Sequence, residues 1–150
     1  MKKKILTVTA AILFTLSATF ARDIKPVPDA IVSELQQEFK NASNVTWKTT
    51  PTFYKATFTV DSNPFEAFFS YQGELIGISR KIAINQLPLS LIKEVNEKSA
   101  TSGITELFEL LTDRGTEYFI TYVTGKGQKT YKSMGTSWYP YEANEFFQGI

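Results

Sequence analysis

Neither cysteine nor histidine occurs among the 150 residues. Without histidine there is no Ser-His-Asp triad, no imidazole general base and none of the common zinc sites. Without cysteine there is no thiol nucleophile, redox centre, thiolate metal site or lipid-bearing residue, and stability must come from packing instead of cross-links. The chain also lacks an apolar run of full membrane length. Its uncharged stretch from Ile5 to Ala21, within MKKKILTVTAAILFTLSATFARD, is 17 residues, short of the roughly 20 that span a bilayer.

Three lysines ahead of that run, with Thr19 and Ala21 closing it, predict a secretory signal peptide over residues 1–21, cut after Ala21. The alternative is an uncleaved N-terminal anchor. Removing Lys2, Lys3 and Lys4 from the 16 basic residues leaves 13 against 15 acidic ones, a net charge of −2. That balance carries no electrostatic footprint for nucleic acid. The expected product is a periplasmic or secreted protein with no membrane span after cleavage. Its length over 22–150 suits one domain with a core of its own.

In PVPDAIVSELQQEFKNA, Ile31, Val32, Leu35 and Phe39 make one helical stripe, with Pro28 and Asp29 suited to its start. NVTWKT is a short strand. FYKATFTV sets Tyr54, Ala56, Phe58 and Val60 on one face and Phe53, Lys55, Thr57 and Thr59 on the other. After a turn over Asp61 to Pro64, FEAFFSY splits likewise into Phe65, Ala67, Phe69 and Tyr71 against Glu66, Phe68 and Ser70. A turn at Gly73 leads to a fourth strand, LIGISRKIAI.

The pattern then restarts with QLPLSLIKEVNEK, where Pro88 lies 60 residues after Pro28. Strands GITELFELLT, TEYFITYV and QKTYKSM follow, joined by turns at DRG and GKG. Tyr118, Ile120 and Tyr122 take the places of Tyr54, Ala56 and Phe58. The reading is an α+β fold of two diverged copies, about 26–84 and 85–140, each a helix followed by an antiparallel meander. In ITELFELL, Ile104, Leu107, Phe108 and Leu111 fall at helical spacing, but the place in the repeat argues for a strand, which is the assignment adopted.

The succession of a VP helix, NVTW, FYKATF, EAFFSYQGEL, an LP helix, ITEL and EYFITYV resembles the PepSY-like small exported proteins of Bacteroidetes-type bacteria, related by fold to β-lactamase inhibitory protein. The resemblance implies helices packed on one face of an antiparallel sheet, with the other face open. In that inhibitor an aromatic-rich open face grips an enzyme. None of its functional residues can be matched here, and it carries disulfides that this chain lacks.

Trp47, Tyr54, Phe58, Phe65 and Phe69 belong by parity under the helices. Phe53, Phe68 and Phe119 have the opposite parity and are expected on the open side beside Lys55, Thr57, Glu66 and Thr121, as a recognition surface. The candidate binding face is therefore Phe53, Lys55, Phe68 and Phe119, with the tail TSWYPYEANEFFQGI or a second copy as an alternative cover. On this surface reading, replacing the three phenylalanines with serine leaves the fold intact. No catalytic, cofactor or metal residue is assigned.

Glu66 with Glu74, or Glu106 with Glu109 and Glu117, could in principle serve as paired carboxylates, but read as solvated surface charges. Ser79 beside Arg80 and Lys81 reads as an edge-strand surface. GKGQK, Gly125 to Lys129, lacks phosphate-loop spacing and reads as a hairpin turn. DSNPFE has too few acidic ligands for calcium. The glycosylation patterns at Asn41 and Asn44 are explained by a helix end and a strand start. The function expected is a non-catalytic module that binds an exported or envelope protein, as inhibitor or escort. The alternatives are an envelope self-assembly protein or a carboxylate-dependent hydrolase.

Overall fold

The computed structural model describes residues 26–142; the predicted signal peptide lies outside them. Helix α1 (Asp29–Glu38) precedes strands β1 (Ser43–Thr49), β2 (Tyr54–Val60), β3 (Asn63–Phe69) and β4 (Leu75–Lys81). A 3-10 turn (Ile84–Gln86) and helix α2 (Leu89–Ser99) lead into β5 (Gly103–Thr112), β6 (Gly115–Thr124), β7 (Gly127–Ser133) and β8 (Tyr139–Tyr141). All eight strands form one antiparallel sheet in chain order, β1 to β8. Every neighbour along the chain is therefore a neighbour in space.

Both helices start at a proline. The amides of Ile31 and Leu91 donate to the carbonyls of Pro28 and Pro88, at 3.0 and 2.9 Å, and the proline ring holds the extended φ that a helix cap requires. Helix α1 ends one residue before its apolar stripe does, because Phe39 already leaves helical geometry as the cap. The turn predicted over Asp61 to Pro64 is confined to Asp61 and Ser62. Both have positive φ, the primed geometry that matches strand twist. The two later hairpins use another device. Thr112 and Thr124 each accept the amide two residues on and donate to the carbonyl of a glycine, Gly115 or Gly127. The GKG segment is thus the hairpin turn that was expected.

The helices cover one face of the sheet through two separate cores. Ile31 and Leu35 of α1 pack on Tyr54, Ala56, Phe58, Ala67 and Phe69. Leu91 and Val95 of α2 pack with Leu107, Ile120, Tyr122 and Trp138. Tyr54, Phe58 and Phe69 are fully buried, while Trp47 and Phe65 are half-buried against the same cluster. ITELFELL is a strand, as adopted. A bulge between Ile104 and Glu106 turns both Ile104 and Leu107 toward α2, which produces the helix-like spacing. β8 was not anticipated from the sequence, and β4 is not an edge: it pairs with β3 on one side and β5 on the other. Ser79 is accordingly buried there.

Candidate functional site

Strand alternation sends every second side chain of β2 to β6 to the face without helices. On that face Phe53, Phe68, Leu110 and Phe119 form a third cluster, with Ile76, Phe108 and Tyr141 packed against it. Phe53 meets Phe68 edge-on with ring centroids 5.6 Å apart. Phe108 stacks on Phe119 at 4.9 Å, and Tyr141 meets the same ring edge-on at 5.2 Å. The three phenylalanines lie away from the helices, where parity placed them, but the expected exposure is corrected. Phe53 and Phe68 are each 8% exposed and Phe119 1%. Burying three large aromatic surfaces stabilises the sheet by about 1.5–3 kcal/mol each, so triple replacement with serine would remove a core. Part of the tail supplies the cover, through Tyr141 of β8.

Gly77 makes this packing possible. A Cβ on it would lie 2.9 Å from the Leu111 carbonyl oxygen and 3.2 Å from a Leu110 methyl, so only glycine admits Leu110 over the strand.

Beside the aromatic cluster runs a groove of about 510 Å³, lined among others by Lys55, Glu66, Phe68, Lys81, Glu106 and Phe108. Lys55 and Glu66 form an ion pair of 2.7 Å across β2 and β3. Both groups are partly exposed, so the pair shapes the groove more than it stabilises the fold. Lys81 and Glu106, which also line it, are exposed. Lys55 and Phe68 of the predicted face line the groove; Phe53 and Phe119 sit in the packed cluster next to it. Lys81, Glu106 and Phe108 were missed as a group. The signal that could have found them was the alternate-residue parity of β4 and β5, which a single edge-strand reading of SRK concealed.

Among the carboxylates, Glu109 is held by Arg80 at 2.5 Å and Glu117 by Lys132 at 3.5 Å. With Glu66 on Lys55, three of the candidate acids are committed to cations. No group of three metal-ligating side chains occurs among the described residues. Among the described residues, the titration of Tyr122 is pushed up to about 12 by burial and, less strongly, by the charges of Glu94 and Tyr131. Its hydroxyl is buried without a hydrogen-bond partner.

This architecture, one antiparallel sheet with two helices on a single face, defines a fold shared with several solved bacterial proteins. A BLIP-like protein from Bacteroides fragilis matches with a TM-score of 0.65 at 20% identity, over 79% of this chain and 88% of its own. A DUF2874 family protein from Bacteroides uniformis matches with a TM-score of 0.66 at 11% identity, over 75% and 86%. A protein from Bacteroides eggerthii provisionally named as periplasmic matches with 0.63 at 13%, over 72% and 80%. At these identities the likeness is one of fold. No family model matches the sequence, and no curated protein does.

Proposed function

We propose that the chain is an exported, non-catalytic binding module that engages a protein of the cell envelope, as inhibitor or escort, through the groove around Lys81, Glu106 and Phe108. The observation that carries this reading is a charged groove over an aromatic floor on the face that neither helix covers. Charged rims around buried aromatics favour specific protein contacts, because the rim steers and selects while the floor stays rigid. Export is supported by the basic and apolar N-terminal run and by the fold neighbour provisionally named as periplasmic. No helix of the described residues is long and apolar enough to cross a membrane. The non-catalytic reading draws on the missing histidine and cysteine and on the cation-bound carboxylates. Membership of the PepSY-like group is supported by the sequence motifs, and kinship with the BLIP-like fold by the solved neighbours.

The same reading takes the chain as two diverged copies. Adding 60 to a β1 number and 64 to its β2 partner turns each β1–β2 pair into a β5–β6 pair: Trp47 with Ala56 becomes Leu107 with Ile120. Shifts of 64 and 64 carry β2–β3 onto β6–β7, and shifts of 64 and 62 carry the central β3–β4 pairs onto β7–β8. The strand bulge also recurs at the same place, between Ser43 and Thr46 and between Ile104 and Glu106.

The test is charge reversal in the groove. A Lys81→Glu/Glu106→Lys variant changes exposed residues only, so its melting temperature should match the parent's. Immobilised parent should retain a discrete envelope protein from the source organism, identified by mass, and the variant should lose it. Equal retention by both would place the contact elsewhere.

A further inference from the structure

We infer that a hollow on the helix side of the sheet, where α2 ends beside the β6–β7 hairpin, binds a phosphate monoester. The hollow holds about 500 Å³ and is lined, among others, by Lys98, Ser102, Tyr122, Lys126, Lys129 and Tyr131. No acid is among its lining residues. Tyr122 stands directly opposite Lys129 in the β6–β7 ladder, so both side chains leave the sheet on one face. That face is the one that carries α2. Lys98 reaches from the helix over the Tyr131 ring, 4.2 Å from its centroid, and Glu94 holds it there at 2.9 Å. Among the described residues, Lys126 and Lys129 have no ion-pair partner. The hollow and the groove thus lie on opposite faces, and neither reading depends on the other.

Nothing in the fold requires this corner to be hollow or basic. At the end of α1 the β2–β3 hairpin meets its helix in the same way, with Phe58 opposite Phe65. There the cap residue Phe39 packs on Phe58 with ring centroids 4.8 Å apart, and Phe58 stacks on Phe65 at 5.9 Å. Ala42 and Val60 pack against the same cluster, so that corner is filled. Beside α2 a phenylalanine would serve the core as Phe58 does, yet position 122 carries a hydroxyl that is buried without a partner. Such a group lowers stability and needs a reason. A tyrosine kept at that cost, lining a hollow with two unpaired ammonium groups, fits an acceptor that arrives with a ligand. A phosphate monoester brings close to two negative charges at neutral pH and three acceptor oxygens. Those match two lysines and a neutral hydroxyl donor, whereas a carboxylate would leave one ammonium unanswered. The remaining volume admits an organic group against the Tyr131 ring.

The probe is glycerol phosphate, followed by calorimetry and by amide chemical shifts at constant ionic strength. The parent should bind a single equivalent, with shifts centred on Ser102, Gly125 and Lys126, and acetate should bind far more weakly. Lys126→Gln/Lys129→Gln changes exposed residues only and should abolish binding in a folded protein. Tyr122→Phe removes an unpaired hydroxyl, so it should fold at least as well as the parent while binding about tenfold more weakly. Equal affinity of Tyr122→Phe and parent would overturn the inference, because the lysines would then attract anions without a built site. Acetate binding as tightly as glycerol phosphate would overturn the assignment to phosphate. The same ester can be free or carried by a lipid headgroup, and flotation with phosphatidic acid vesicles, against phosphatidylcholine alone, separates the two. A parent that floats only with phosphatidic acid, and is released by glycerol phosphate, takes the ester from a membrane. A parent that binds glycerol phosphate without floating takes it free in solution. Binding to neither overturns the inference. Partner capture through the groove is a separate measurement that these substitutions leave intact, so the two readings fail separately.

Discussion

Tyr122 shows how one atom can be held at a loss. Its ring sits in the core under α2 beside Leu91, Val95 and Ile120, and its hydroxyl has no partner there. A buried donor without an acceptor costs about 1–3 kcal/mol, whereas an apolar group of the same shape costs little. Tyr122→Phe should therefore raise stability at neutral pH by about 1 kcal/mol, measured by chemical denaturation. The alkaline limb gives the second readout. A tyrosine in the unfolded chain ionises near pH 10, but Tyr122 in the fold keeps its proton to about 12. Between those values the unfolded state has released a proton that the native state retains, so rising pH favours unfolding. The stabilising difference is fully present below pH 10 and is lost as pH climbs through 12. The phenylalanine variant should lack this segment of the pH dependence, worth roughly 2 kcal/mol. An unchanged slope between pH 10 and 12 would assign the effect to other tyrosines.

At the scale of elements, strand parity was legible wherever the ladder runs without interruption. β2 and β3 alternate cleanly, and every aromatic assigned to the helix side from the sequence is on that side. What local pattern could not carry was the exception. The bulge in β5 adds one residue to one strand only, so Ile104 and Leu107 share a face at a spacing of three and imitate a helix. β8 was unreadable for another reason: three residues with a proline in the middle contain no alternation to detect. Gly77 is likewise silent in the sequence, since its requirement comes from Leu111 on a strand 34 residues away. Gly77→Ala should force the β4–β5 joint apart, because the clash at 2.9 Å is with a backbone carbonyl, not a movable side chain. The expected loss is about 1–3 kcal/mol, with amide exchange accelerating first in Ile78 to Lys81. An alanine variant as stable as the parent would show that the strands slide at little cost.

For the whole molecule, the face without helices matters because the face with them is divided. The core under α1 draws only on residues up to Leu75, and the core under α2 only on residues from Ile82 onward. The third cluster is different: Phe53, Phe68 and Ile76 come from the first half, Leu110, Phe119 and Tyr141 from the second. The aromatics of opposite parity thus tie the strands under α1 to the strands under α2 on the opposite face of the one sheet, and the groove stands on that tie. Their face was legible from alternation; their burial was not, because it depends on β4 and β5 becoming neighbours in the middle of the sheet. The two-copy reading proposed above would make the same point. On that reading Phe53 and Phe68 would correspond by the strand shifts to Glu117 and Lys132, a partly exposed ion pair, with aromatic packing in place of charge beside the β4–β5 ladder. Truncating the tie should then uncouple the halves before it unfolds either. The two tryptophans report on each half separately, Trp47 beside Phe69 in the first and Trp138 in the core under α2. In the parent, single-tryptophan variants carrying Trp47→Phe or Trp138→Phe should show coincident urea transitions. With Phe68→Ala added, at a cost of about 3–5 kcal/mol, the two fluorescence transitions should separate. Coincident transitions at a lower midpoint would mean that the β4–β5 ladder alone keeps the molecule cooperative.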